Sequence, residues 1–471
     1  MTKHKSLFLS AVLLLLSLTA SARVQLCKIF SDGMVLQQQS QCRIWGQASA
    51  GKMVKVTTSW DRHTYRQQAG EDGHFALQVS TPVAGGPYTI TISDGEAVTL
   101  RDILIGEVWI CSGQSNMEMP VKGFKGQPVE GAAETLLDCD DQQLHLFTVK
   151  RRASLTPVDS VSGKWQQATS ESVRSFSATA YYYGRALRRA LNVPVGLIVT
   201  AWGGSACEAW MQQEWLQAFP TVKLPHDEAD VKKRAQRCPT ALYNGMLMPI
   251  AGYTMKGVIW YQGEDNVERS SYYADCFGRM IGGWREVWNQ GDFPFYFCQI
   301  APYDYSLIGW QKYNSALLRE QQLRAEHDVK NCRMAVLLDA GLEYGIHPRC
   351  KRQAGERLAL LSLSNTYGKK GLPDFAVYRQ VEFHGDTADV TFDRSKEWIY
   401  FEHGAPRDNY EVAGEDRVFH KAKAWISRNH LYLQSDDVKK PVAVRYAFHD
   451  WVDADLMHDG LPVSSFRSDN W

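Results

Sequence analysis

From about residue 106 to 370 the chain alternates continuous apolar runs with stretches of helical period. Glu107–Cys111, Val195–Thr200, Gly257–Tyr261, Phe295–Ile300 and Met334–Leu338 read as strands. Thr179–Leu191, Tyr272–Trp288, Ala316–Glu326 and Arg349–Leu363 read as helices. Strands that are apolar on both faces and separated by helices predict an α/β domain with a mostly parallel, doubly wound sheet. Residues 120–175 and 205–240 are long connections without clear period. Connections of that length usually carry function or cover a site.

The flanks follow a different rule. Residues 23–105 alternate in short runs such as Val54-Lys55-Val56 and Tyr88–Ile92. Asp32-Gly33, Asp72-Gly73, Gly85-Gly86 and Asp94-Gly95 punctuate them, as in a sandwich. After about residue 372 short strand patterns return at Val390–Phe392, Trp398–Phe401, Ala424–Ile426, Leu431–Leu433 and Val442–Ala447. The expected division is therefore β-rich over 23–105, α/β over 106–371 and β-rich over 372–471.

Residues 1–22 read as a signal peptide. Lys3 and Lys5 precede the apolar core Phe8–Leu18, and Ala20-Ser21-Ala22 fits the cleavage pattern. The core is shorter than the ~20 residues of a membrane span. The expectation is an exported protein, periplasmic or extracellular, with no span after cleavage; a retained anchor is the alternative. Ten cysteines remain, without a disulfide framework, and Cys111, Cys298 and Cys332 lie in or beside apolar runs as buried thiols would. No Cys/His spacing resembles a zinc site, so no metal and no cofactor is expected. Lys plus Arg and Asp plus Glu number 52 each, which argues against a nucleic-acid partner. The 15 Trp and 21 Tyr suit sugar stacking and equally suit a large core.

Four segments at expected strand ends carry chemistry. Gly113-Gln114-Ser115-Asn116-Met117 presents a serine at the start of a helix, where free N–H groups favour a developing oxyanion. A turn serine also serves simply as a helix cap. Trp202-Gly203-Gly204-Ser205 lets backbone N–H groups approach a substrate, or is an ordinary tight turn. Trp260–Asn266 supplies the Gln262 amide as an oxyanion donor. Its Glu264-Asp265 pair would suit a glycosidase, but no second matched carboxylate motif is present. Gly345-Ile346-His347-Pro348 places a histidine before a helix that Pro348 would start.

Together these segments resemble the SGNH-hydrolase esterases, and within them the sialate O-acetylesterase family. Ile346-His347-Pro348-x-x-Lys351, Leu242–Met246, Phe293–Tyr296, Gly460-Leu461-Pro462 and Phe466-Arg467 extend the resemblance over most of the chain. It implies an α/β/α sandwich flanked by β-rich regions, and a serine esterase acting on O-acetylated sialic acid, free or glycan-linked. Ser115 would be the nucleophile and His347 the general base. The Ser115 N–H, a Gly203 or Gly204 N–H and the Gln262 amide would form the oxyanion hole, with Asn116, Glu264 and Arg319 in support. Arg319 is expected to pair with Glu264, or to be a solvated helix arginine.

One position departs from the pattern. Many SGNH hydrolases have an aspartate three residues before the histidine, and Tyr344 stands there. The favoured arrangement is a Ser–His dyad whose imidazole is oriented by the Gly345 carbonyl; Glu343 and Asp339 are the alternatives. Rival functions are an esterase for acetylated plant polysaccharide, of acetylxylan-esterase type, and a catalytically dead sugar-binding relative.

Overall fold

The computed structural model describes residues 24–310 and 314–471; the expected signal peptide lies outside them. One strand threads two parts of the molecule. β1 (Ala97–Gly113) begins with mixed burial and is buried at every residue from Ile103 onward. Its first half pairs antiparallel with the Gly85–Ser93 strand of the N-terminal β region. Its second half lies at the middle of the central sheet. The boundary expected at residue 105 thus falls inside a single strand.

The central sheet also contains β2 (Asp141–Thr148), β3 (Trp165–Ala168), β4 (Val195–Ala201), β5 (Gly257–Tyr261), β6 (Phe295–Cys298) and β7 (Cys332–Ala335). The order is β3-β2-β4-β1-β5-β6-β7, and N-terminal strands extend it to a mixed sheet of 11. β4 and β5 flank β1 in parallel register, with Ala201 and Tyr261 both opposite Gly113. β3 is an antiparallel edge. β4 and β5 are buried at every position, which explains their unbroken apolar sequences.

Among the helices are α1 (Ser115–Glu118), α2 (Ala178–Leu191), α3 (Tyr273–Trp288), α4 (Ser315–Asp328) and α5 (Lys351–Asn365). α2 starts where the Ser177 side chain accepts from the Ala180 N–H, and it ends on Asn192 in the left-handed conformation. Gly355 lets α5 pack tightly on α2; a Cβ there would meet the Thr179 carbonyl at 2.6 Å. α5 starts at Lys351, two residues later than expected, so Pro348 precedes the helix and His347 stands on a loop. Trp109, Trp210, Trp215, Trp260 and Trp284 are fully buried and fill the core. Among the described residues every cysteine is a free thiol. No described helix is long and apolar enough to cross a membrane.

Arg319 corrects an expectation. It does not pair with Glu264. It is completely buried on α4 and fastens the C-terminal β region to the central domain. Its guanidinium donates to the Ala447, His449 and Asp450 carbonyls and to the Ser315 and Ser465 hydroxyls. Gln299, at the end of β6, adds a bond of 2.8 Å to Ser464. Burial lowers the guanidinium to about 10, so it stays charged at neutral pH. Arg319→Leu strands these acceptors, each costing about 1–3 kcal/mol when buried and unpaired. A clear fall in the urea midpoint is expected; a midpoint equal to that of the parent protein would contradict the assignment.

Candidate active site

The site forms where β1, β4, β5 and β7 end. Each residue of the Gly113–Met117 segment has a separate task. Gly113 has φ +137°, and a Cβ there would strike the Tyr261 carbonyl at 2.1 Å, so only glycine fits between the strands. The Gln114 side chain accepts from the Gly263 and Asp265 N–H groups, fixing the turn after β5. Met117 is buried in the core. Ser115 is half-buried at the first position of α1, and its hydroxyl has no hydrogen bond among the described residues.

Asn116 joins three loops. Its buried amide donates to Glu264 Oε1 at 2.5 Å and to the Ile346 carbonyl at 3.2 Å. Its oxygen accepts from Lys351 Nζ at 2.5 Å. Ser115 and His347 are therefore each one residue removed from a direct hydrogen bond between their loops. Burial raises the Glu264 carboxyl and lowers the Lys351 ammonium to about 7.

His347 is held from the other side. Its Nδ1 lies 2.5 Å from Gln127 Oε1. The Phe124 ring meets the imidazole edge-on at 5.2 Å. Phe124 and Gln127 exchange backbone hydrogen bonds across a tight turn, and Gly126 in that turn has φ +72°. An amide oxygen on Nδ1 fixes the proton there and leaves the Nε2 lone pair as the basic site. Burial, and then the Lys351 charge, push the imidazole down to about 4.

Residues 105–360 match the family model for carbohydrate esterases described as sialic acid-specific acetylesterases. The chain belongs to this family. Relatives named sialate O-acetylesterase include one from Rattus norvegicus, 30% identical over 403 residues, covering 72% of this chain and 73% of the relative. That of Homo sapiens is 28% identical over 376 residues, covering 73% and 71%. A crystal structure of a carbohydrate acetylesterase from Xanthomonas citri superposes with TM-score 0.87 at 33% identity, covering 95% of this chain and all of that one. The protein is a carboxylic ester hydrolase.

Within this esterase several expected roles are redistributed. Both N–H groups of the Gln262 amide are spent inside the fold, on the Ser205 carbonyl at 3.0 Å and on Asn266 Oδ1 at 2.7 Å. Its oxygen accepts from Tyr273. With no exposed surface and no spare donor, Gln262 knits the post-β5 turn to the post-β4 loop and is not an oxyanion donor here. Gly203 does abut Ser115, since a Cβ on it would lie 3.3 Å from the serine Cβ. Its N–H, however, donates to Glu118 Oε2 at 2.8 Å. The other Glu118 oxygen binds Arg151 Nε at 2.5 Å. The Ser115 and Gly204 N–H groups have no partner among the described residues.

The three orienting candidates also yield to Gln127. Asp339 is held by both terminal nitrogens of Arg357 at 2.6 Å. Glu343 lies beside the Tyr344 phenol and raises its pKa. The Gly345 carbonyl accepts no bond from His347 among the described residues. Gln127 went unrecognised because it sits on an exposed turn without a motif; the one signal was the length of its connection.

The pH profile tests this arrangement. An imidazole is a base only above its pKa, so activity should persist until the pH nears about 4 and then fall. We expect kcat/KM for p-nitrophenyl acetate to show that acid limb, and Gln127→Glu, which places a carboxylate on Nδ1, to move it upward. An acid limb near 6.5 in the parent enzyme would contradict the geometry. Gln127→Ala should lower kcat by about tenfold or more, the cost of one hydrogen bond to the imidazolium that forms during turnover, while His347→Ala abolishes turnover.

Proposed function

We propose that the protein is an exported serine esterase that removes O-acetyl groups from sialic acids through an acetyl-enzyme on Ser115. The reading takes its central domain as an SGNH α/β/α sandwich between two β-rich regions. The observation that carries it is the Asn116–Ile346 hydrogen bond, which ties the unpartnered serine to the loop of the basic histidine. Export rests on the pattern of residues 1–22.

In the first step His347 Nε2 takes the Ser115 proton as Oγ bonds to the acetyl carbonyl carbon. The resulting oxyanion faces the Ser115 and Gly204 N–H groups. The carbon–oxygen bond to the sugar then breaks, and the imidazolium returns its proton to the leaving alkoxide. In the second step water attacks the acetyl-enzyme with the same histidine as base. Acetate leaves and Ser115 regains its proton. Gln127 keeps the imidazole in the tautomer both steps need, in the place where a serine protease has an aspartate.

The names of the rat and human relatives favour sialate as the acyl carrier. The Xanthomonas citri structure, named for carbohydrate acetylesterase activity and matched over nearly the whole chain, supports a second reading in which another acetylated carbohydrate is the substrate. Acetate release across O-acetylated sialic acids and acetylated xylan separates the two. The expected result is release from sialates, abolished in Ser115→Ala; release from xylan alone favours the second reading. Undiminished release in Ser115→Ala overturns the mechanism.

A further inference from the structure

A cavity of about 280 Å³ adjoins the histidine, near the lower end of ligand-pocket sizes of about 300–1,000 Å³. His347, Gln127, Glu343, Tyr344 and Arg349 line it. Tyr344, three residues before the histidine, is 78% exposed. A large aromatic face left to solvent beside a catalytic base is a wall for a ring. Arg349 is the one cation among the lining residues that is also exposed, and its side chain has no ion pair or hydrogen bond among the described residues. Its backbone is fixed, because the Arg349 carbonyl accepts from the Glu130 N–H at 3.0 Å and the Lys351 N–H at 2.9 Å. An unpaired guanidinium is a ready bidentate partner for a carboxylate.

We propose that this cavity seats the sugar, with Arg349 pairing with the carboxylate of a sugar acid and the Tyr344 ring lying against the pyranose. The inference rests on the esterase reading above and names what that reading leaves open, the group that distinguishes an acidic sugar from a neutral one. His347 must return a proton to the leaving alkoxide, so the sugar has to lie beside the imidazole, which lines this cavity together with the Gln127 that holds its Nδ1. Glu343, the anion of the lining, stands against the Tyr344 hydroxyl, at the same end of the loop. It serves as an acceptor for sugar hydroxyls and repels a carboxylate, so the acid group is directed to Arg349.

The test compares kcat/KM for O-acetylated N-acetylneuraminic acid with that for its carboxylate methyl ester. The parent enzyme should prefer the acid by about tenfold or more, the size of a charge-assisted pair. Arg349→Gln should abolish the preference, chiefly through KM, and Arg349→Lys should restore part of it. Tyr344→Ala should weaken acid and ester alike. Equal rates on acid and ester in the parent enzyme, or an undiminished preference in Arg349→Gln, overturn the proposal while leaving the esterase reading intact. An enzyme that releases acetate from neither form overturns the sialate reading, and this proposal with it.

Discussion

A single buried amide fixes the relation between the serine and the histidine. Asn116 is reached by a carboxylate from the post-β5 turn, an ammonium from α5 and a carbonyl from the His347 loop. The parallel sheet brings these loops to one edge, but strand register alone does not set side-chain positions to within an ångström. Asn116 does, because an amide can donate and accept at once and has no net charge to desolvate. Glu264 and Lys351 then stand on opposite sides of a neutral bridge, each driven by burial toward its uncharged form.

The electrostatics of the site follow from that bridge. The Lys351 charge adds to desolvation in holding His347 neutral over the physiological range. A neutral imidazole needs no charged partner, so an amide oxygen suffices on Nδ1. The residue that meets Nδ1 is Gln127, on a different loop, and Tyr344 is not needed there. Position 344 faces solvent. On the opposite side of Ser115, Glu118 covers the Gly203 N–H and is itself tethered by Arg151. The open donors are therefore those of Ser115 and Gly204.

Much of this was legible in the residues. The unbroken apolar runs of β4 and β5 correspond to strands buried on both faces, and α2 and α3 match their expected spans to within a residue. Ser115 and His347 stood out because motifs at strand ends announce themselves locally. What failed to show was everything that depends on a partner distant in sequence. Gln262 reads as a donor until Ser205 and Asn266 are seen to take both its hydrogens. Arg319 reads as a partner of Glu264 or a solvated helix residue until the C-terminal region closes over it. Gln127 meets His347 across 220 positions, from an exposed turn that carries no motif.

Asn116 is held to position the proposed nucleophile, Ser115, and the proposed base, His347, with respect to each other, and one measurement tests this directly. Asn116→Ala should fold, as judged by near-ultraviolet circular dichroism, and should bind p-nitrophenyl acetate with little change in KM. Its kcat should fall by about a hundredfold, since misplacing a catalytic group by about 1 Å costs that much. A folded Asn116→Ala enzyme with the kcat of the parent would contradict the account.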